Sequence, residues 1–211
     1  MEPRPVLGPP PVPPGAGDGG PAIGAGIPAP EPSALIFRGG GWGSFRAWQL
    51  MSYMPGVRSL RDILLESFAG SANSLVPIFR SAGEAVRRMH EAQIDHPDLN
   101  IGNILIRSPS TGVAGAAEAF IVDWDKARLR PRGSWNPHRN LMRLWRSALK
   151  LAAASRVDFR AHPSLLRSFL RGYFGRNPKG LRELRAYGRS RRAFLAARMV
   201  LWALGRDRRA P

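Results

Sequence analysis

The stretch His96-Pro97-Asp98-Leu99-Asn100-Ile101-Gly102-Asn103 places two oxygen-bearing side chains, Asp98 and Asn103, five residues apart. Twenty residues after Asn103, an apolar run ends in Asp123-Trp124-Asp125. Taken singly, Asp98, Asn103 and Asp123 read as residues that cap turns. Taken together, at the ends of two short apolar runs, they can converge on one hard cation. Mg²⁺ takes oxygen ligands and is usually held by one or two protein carboxylates together with substrate phosphates. A carboxylate left over from that task can take the proton of an attacking hydroxyl. The chemistry to expect is phosphoryl transfer.

The surrounding pattern supplies elements able to hold such a site. Ile104-Leu105-Ile106 and Phe120-Ile121-Val122 read as strands, joined by a small-residue loop over Ser108 to Ala119. Leu75 to Ala92 reads as an amphipathic helix. Ile78, Phe79, Ala82, Ala85, Val86 and Met89 form one face, and Arg80, Glu84, Arg87 and Arg88 the other. Ser59 caps a shorter helix that runs through Leu65. Upstream, Ala34 to Phe37 and Phe45 to Met54 flank a Gly-rich turn and predict a hairpin. After about Asn136 the chain reads as helical, with breaks at Pro163, Gly172 and Asn177-Pro178. From Leu181 to Arg209, Arg alternates with Leu, Phe, Trp and Met at helical spacing. That stretch fits a basic amphipathic helix on anionic lipid, or a packed helix with a solvated basic face.

Composition narrows the classes further. The chain has 211 residues, no Cys and four His, which excludes disulfides, thiolate metal sites and cysteine catalysis. Its formal net charge is +17, and of 32 Lys+Arg only Lys126, Lys150 and Lys179 are Lys. Such a charge suits an acidic partner, although an Arg-favouring genome accounts for part of it. No run reaches the roughly 18 apolar residues of a membrane span, and no secretory signal is visible, so the chain reads as intracellular. Residues 1–33 are Pro, Gly and Ala with few bulky apolar groups, and are expected to be a disordered tail.

The pattern H-x-D-L-x-x-x-N, an apolar triplet, and then apolar-apolar-D-aromatic-D resembles the catalytic loop and metal-binding Asp of protein kinases. Two positions depart from it: Pro97 replaces the usual Arg, and Asp125 the usual Gly. With these departures the sequence resembles the lipopolysaccharide kinase (Kdo/WaaP) family, most closely its branch acting on 3-deoxy-D-manno-octulosonic acid (Kdo). Leu50 to Leu60, His96 to Ile106, Ile121 to Arg130, and Trp135 with Asn140 to Lys150 carry the resemblance, which spans about Ile27 to Tyr173. It implies an α+β, protein-kinase-like fold with a largely helical C-lobe over 59–211. Residues 34–58 would be a remnant of the N-lobe strands and the hinge.

By the same resemblance Asp98 is the catalytic carboxylate, and Asn103 and Asp123 hold Mg²⁺ and the ATP phosphates. Asn100 stands where protein kinases carry a Lys that contacts the γ-phosphate. His96 anchors the loop. Asp125 is either a second metal carboxylate or an ion-pair partner of Arg128. Arg143 and Arg146 either face acidic substrate groups or lie on the exposed side of a packed helix, with Leu141, Leu144 and Trp145 inward. Asp95, His138 and His162 read as surface residues. The implied reaction moves phosphate from ATP to a Kdo residue on lipid A, by a peripheral enzyme at the cytoplasmic face of the inner membrane. The acceptor itself and an anionic membrane surface are the implied partners, with no specific nucleic acid.

One expected part is missing. A kinase N-lobe carries a Gly-rich loop over the phosphates and a strand Lys paired to a helix Glu. Here the first Lys is Lys126, and Gly39 to Gly43 sits in the wrong place for a phosphate loop. The resemblance therefore begins in mid N-lobe, with Ile27 to Pro32 as the connection into the last strand pair. Residues 1 to about 26 are then an unrelated tail or a misassigned start. Weak or no activity of this chain alone is expected, because positioning and electrostatics dominate phosphoryl transfer. The alternative function is a non-catalytic kinase-like module that binds anionic lipid or a partner.

Overall fold

The computed structural model describes residues 27–39, 45–67, 75–108, 117–155 and 162–191. Strands β1 (Pro32–Gly39) and β2 (Phe45–Met51) form the expected antiparallel hairpin, with Ile36 opposite Trp48 and Ala34 opposite Leu50. Its turn residues 40–44 lie outside the described residues. Strand β3 (Val57–Ser59) follows, then helix α1 (Leu60–Ser67). Ser59 Oγ accepts from the Asp62 amide at 3.1 Å and donates to the Asp62 carboxylate at 2.6 Å. One residue thereby satisfies a helix-end amide and fixes the acid beside it.

Helix α2 (Val76–Glu91) is the spine of the core. Pro77 in its first turn lacks the amide that would have no partner there. Its inward face buries Ile78, Ala82, Ala85, Val86 and Met89, as the spacing predicts. Full burial of a side chain the size of Ile or Met stabilises by roughly 1.5–3 kcal/mol, so this face carries a large part of the fold. Strands β4 (Ile94–Asp95), β5 (Ile104–Arg107), β6 (Glu118–Ile121) and β7 (Arg128–Leu129) complete two small antiparallel sheets, ordered β3-β5-β6 and β4-β7. Helices α3 (His138–Ser155), α4 (Pro163–Phe174) and α5 (Pro178–Ser190) close the helical body. The mixed architecture agrees with the α+β expectation.

Three sequence expectations need correction. The disordered stretch cannot extend to residue 33: Ile27 is buried in the core, the Pro28 carbonyl accepts from the Ile121 amide at 3.1 Å, and β1 begins at Pro32. Residues 1–26, to which the rest of that expectation applies, lie outside the described residues. Gly172 does not break a helix, because α4 runs on to Phe174 and ends at Gly175, where φ is +55°. Gly172 is instead where α4 meets α2. A Cβ there would lie 2.1 Å from the Arg80 carbonyl oxygen, and one on Gly83 would lie 2.2 Å from the Phe169 carbonyl oxygen. Two reciprocal glycines let the two backbones touch. Thirdly, Asp95 is no surface residue; its side chain is only 14% exposed and is paired with Arg130. The C-terminal helix is described through Ser190, so the remainder of the basic amphipathic stretch lies outside the described residues.

Candidate active site

The loop between β4 and β5 places Asp98, Asn100 and Asn103, and the end of β6 places Asp123. These segments are stitched together by backbone and side-chain bonds. The Val122 amide donates to the Asn103 carbonyl at 3.0 Å. His96, fully buried, has Nε2 3.1 Å from the Val122 carbonyl, which assigns the proton to Nε2. Its ring also packs on Trp124, 5.3 Å between centroids. His96 is therefore the anchor that the resemblance implies: it ties the start of one site segment to the residue before Asp123.

Asn103 makes the central contact. Its Nδ2 donates to the Asp98 carbonyl at 3.0 Å and to Asp123 Oδ2 at 3.1 Å. Both donations use the nitrogen, which leaves Oδ1 as the atom of this amide that can act as a ligand. Asp123 sits in the left-handed region, φ 67° and ψ 55°, which Asp tolerates better than most residues. That kink comes two residues after the strand ends at Ile121, where the carboxylate accepts from Asn103. The backbone of Asp98, the Asn103 amide and the Asp123 carboxylate are thus linked, and Asp98 and Asp123 are both exposed. Among the described residues, no group of three or more His, Cys, Asp or Glu could hold a metal. An Asn oxygen beside one carboxylate fits Mg²⁺, which needs few protein ligands when phosphates supply the rest.

The other candidates separate. Asn100 accepts from the Gly102 amide at 2.8 Å and donates to the Asp98 carbonyl at 2.9 Å. Both polar ends of its side chain are used to cap the 3₁₀ turn Ile101–Asn103. Asp125 is exposed, and among the described residues it makes no ion pair with Arg128. Arg143 and Arg146 are both partly buried. Arg143 places a guanidinium nitrogen 3.3 Å from the Asn140 side-chain amide, behind the loop.

Several residues that the sequence did not single out for a role also shape the site. Lys126 Nζ lies 3.6 Å from Asp98 Oδ2. Asn140, fully buried on α3, holds the loop from beneath. With its amide oriented to satisfy its neighbours, its oxygen accepts from the His96 amide at 3.0 Å. Its nitrogen donates to the His96 carbonyl at 3.2 Å and to Asp95 Oδ1 at 3.1 Å. Arg130 reaches Asp95 Oδ2 through Nη2 at 3.0 Å and Nε at 3.2 Å. Ser147 Oγ accepts from the Ile101 amide at 3.1 Å. The advance signal for Asn140 and Ser147 is their place on the helical stretch that carries the resemblance, one residue before Leu141 and three after Leu144, two leucines that face inward.

A buried histidine lies under this platform. The His90 Nδ1 is 2.6 Å from the Tyr173 hydroxyl, and its ring meets Trp135 edge-on at 5.3 Å. Burial, aided by neighbouring His138 and His96, pushes its pKa down to about 3. Burial pushes Tyr173 up, with Glu91 adding to the shift. The pair is therefore neutral, with the Tyr hydroxyl donating to the imidazole. His138 is half-buried against Tyr187 rather than on the surface, and burial lowers its pKa against a smaller opposing effect of Glu183.

The chain is similar to known proteins. Residues 23–166 match the lipopolysaccharide kinase (Kdo/WaaP) family. The chain is 38% identical over 126 residues to a 3-deoxy-D-manno-octulosonic acid kinase of Xanthomonas oryzae pv. oryzae (strain PXO99A), covering 59% of this chain and 45% of that protein. It is 34% identical over 133 residues to the protein of the same name from Stenotrophomonas maltophilia (strain R551-3), covering 63% and 47%. The chain thus spans about half the length of the curated relatives it matches. A solved structure of WaaP in complex with acyl carrier protein superposes with a TM-score of 0.57 at 20% identity, over 88% of this chain and 72% of that one, which supports the kinase-like fold. With more than half its length matched, the chain belongs to the lipopolysaccharide kinase (Kdo/WaaP) family.

Proposed function

We propose that this chain carries the phosphoryl-transfer site of a kinase that moves the γ-phosphate of ATP to a Kdo hydroxyl on a lipid A precursor. The observation that carries the reading is Asn103, whose one amide nitrogen bonds both the backbone of Asp98 and the carboxylate of Asp123. Those bonds tie the backbone of the residue bearing the Asp98 carboxylate to an Asn–Asp oxygen pair. Asp98 orients the acceptor hydroxyl and accepts its proton as the new P–O bond forms and the bond to ADP breaks. Asn103 Oδ1 and Asp123 would hold Mg²⁺, which when bound neutralises charge on the phosphate oxygens. The kinase names of the relatives support ATP as donor and Kdo as acceptor sugar.

We place the protein at the cytoplasmic face of the inner membrane, where ATP and the lipid acceptor meet. Its charge of +17 suits a surface of anionic lipid and phosphorylated acceptor. The described residues contain no helix long and apolar enough to cross a membrane.

The test is transfer of labelled phosphate from ATP to Kdo-lipid A by the purified chain. Asp98→Asn should lower the rate by about 10²–10⁴-fold, the range of a positioned general base, with little change in ATP affinity. Asp123→Asn keeps a side chain tolerant of left-handed backbone and should lower nucleotide affinity in Mg²⁺. Transfer that persists undiminished in Asp98→Asn would overturn the assignment. Absence of both transfer and nucleotide binding by a folded chain would favour the non-catalytic alternative.

A further inference from the structure

Phosphoryl transfer needs a cation on the transferred group, and among the described residues Lys126 has its ammonium beside the Asp98 carboxylate. In protein kinases the cation in the catalytic loop stands at the position of Asn100. Here that residue is neutral, and its amide is engaged at both ends, by the Asp98 carbonyl at 2.9 Å and the Gly102 amide at 2.8 Å. Releasing it would uncap the turn that carries Asn103.

Lys126 ends the 3₁₀ turn Trp124–Lys126 that directly follows Asp123. Its ammonium lies 3.6 Å from Asp98 Oδ2, and the two side chains are 63% and 53% exposed. An ion pair this open is well screened and weakly held. It is easily exchanged for a more highly charged oxyanion. The turn fixes Lys126 to the metal-site residue, while its flexible stem lets the ammonium reach beyond Asp98.

We propose that Lys126 is the cation that grips the γ-phosphoryl group. It replaces, from the Asp123 segment, the positive charge that Asn100 cannot provide. This inference rests on the kinase reading above and adds a residue and a role to it. Before nucleotide arrives, Lys126 pairs with Asp98. When the triphosphate is bound, the ammonium turns to the γ-phosphate oxygens, and the Asp98 carboxylate is released to the acceptor hydroxyl. The proton of that hydroxyl goes to Asp98, the acceptor oxygen bonds phosphorus, and ADP leaves with the electrons of the broken bond. Lys126 changes partner but keeps its protons throughout.

The experiment is calorimetric titration of the 211-residue chain, in Mg²⁺, with a non-hydrolysable ATP analogue and separately with ADP. Lys126→Ala should weaken the analogue on the order of tenfold, the size of one charge-assisted hydrogen bond, and leave ADP unchanged. Lys126→Arg should restore the preference for the triphosphate. Reductive ¹³C-methylation gives an independent readout, because the chain has three Lys. The Lys126 methyl resonance, assigned by its loss in Lys126→Arg, should shift with the analogue and not with ADP.

Lys126→Ala that binds both nucleotides as the wild type does, or weakens both equally, overturns the role of Lys126 and leaves the kinase reading standing. A wild-type Lys126 resonance unmoved by the bound analogue does the same. A folded wild-type chain that binds neither nucleotide overturns both.

Discussion

The side chain of Asn140 reaches the backbone of His96 and the carboxylate of Asp95 from a helix more than forty residues further along the chain. Through it, the loop bearing Asp98 rests on α3 rather than on its own turns. His90 sits beneath the same platform and is held neutral by burial, with a pKa near 3 against 6.5 in the unfolded chain. The unfolded state therefore binds a proton that the folded state refuses. Stability from this group is fully present above pH 6.5 and is lost as pH falls from there toward 3. Unfolding free energy measured by urea titration should be about 2 kcal/mol lower at pH 5 than at pH 8 through His90 alone. The half-buried His138 adds to the loss in the same direction. His90→Gln should reduce that pH dependence; an unchanged slope would show that His90 does not report on folding.

Among the elements, α2 and α4 make the closest approach, and glycine is the cause. Gly83 and Gly172 each face a backbone carbonyl of the other helix at a distance no Cβ can share. Gly172→Ala leaves the helical conformation of α4 easy to adopt, and in a solvent-exposed helix it would be favourable. Here it must force the helices apart, since the obstructing atom is main chain and cannot rotate away. The expected outcome is a loss of about 1–3 kcal/mol in urea unfolding, although propensity alone predicts a gain. The sequence reading of Gly172 as a break followed propensity, and failed because the requirement for glycine comes from the neighbouring helix. The ends that local chemistry does set were legible: the Ser59 cap, Pro163 and Pro178 in first turns, and Asn177 accepting from the Gly180 amide at 3.1 Å.

The charge of +17 is a property of the entire chain, and it acts over distances that salt controls. If the basic surface meets anionic lipid as proposed, sedimentation with phosphatidylglycerol-containing vesicles should fall several-fold between roughly 50 and 300 mM salt. Vesicles of neutral lipid should bind little at either. Retention on anionic vesicles that ignores salt would point to apolar insertion instead. The β1-β2 hairpin has an apolar side as well, with Ile36 50% and Trp48 47% exposed.

The candidate site was legible in the sequence because phosphoryl-transfer chemistry requires particular residue types in a set order. Asp98 and Asn103 share one short loop, Asp123 follows the strand that pairs with the one after that loop, and amphipathic periodicity placed the helices around them. What supports those residues was not legible. Asp95 looks like a solvated acid until Arg130 and Asn140 enclose it, and Lys126 looks like one more surface cation until the fold sets it 3.6 Å from Asp98. Asn100 looks like a phosphate contact until its own turn takes both ends of its amide. Local sequence specifies which groups can react. Which of them are free to do so depends on hydrogen bonds and ion pairs between residues distant along the chain, and these form only once the helices and strands have packed.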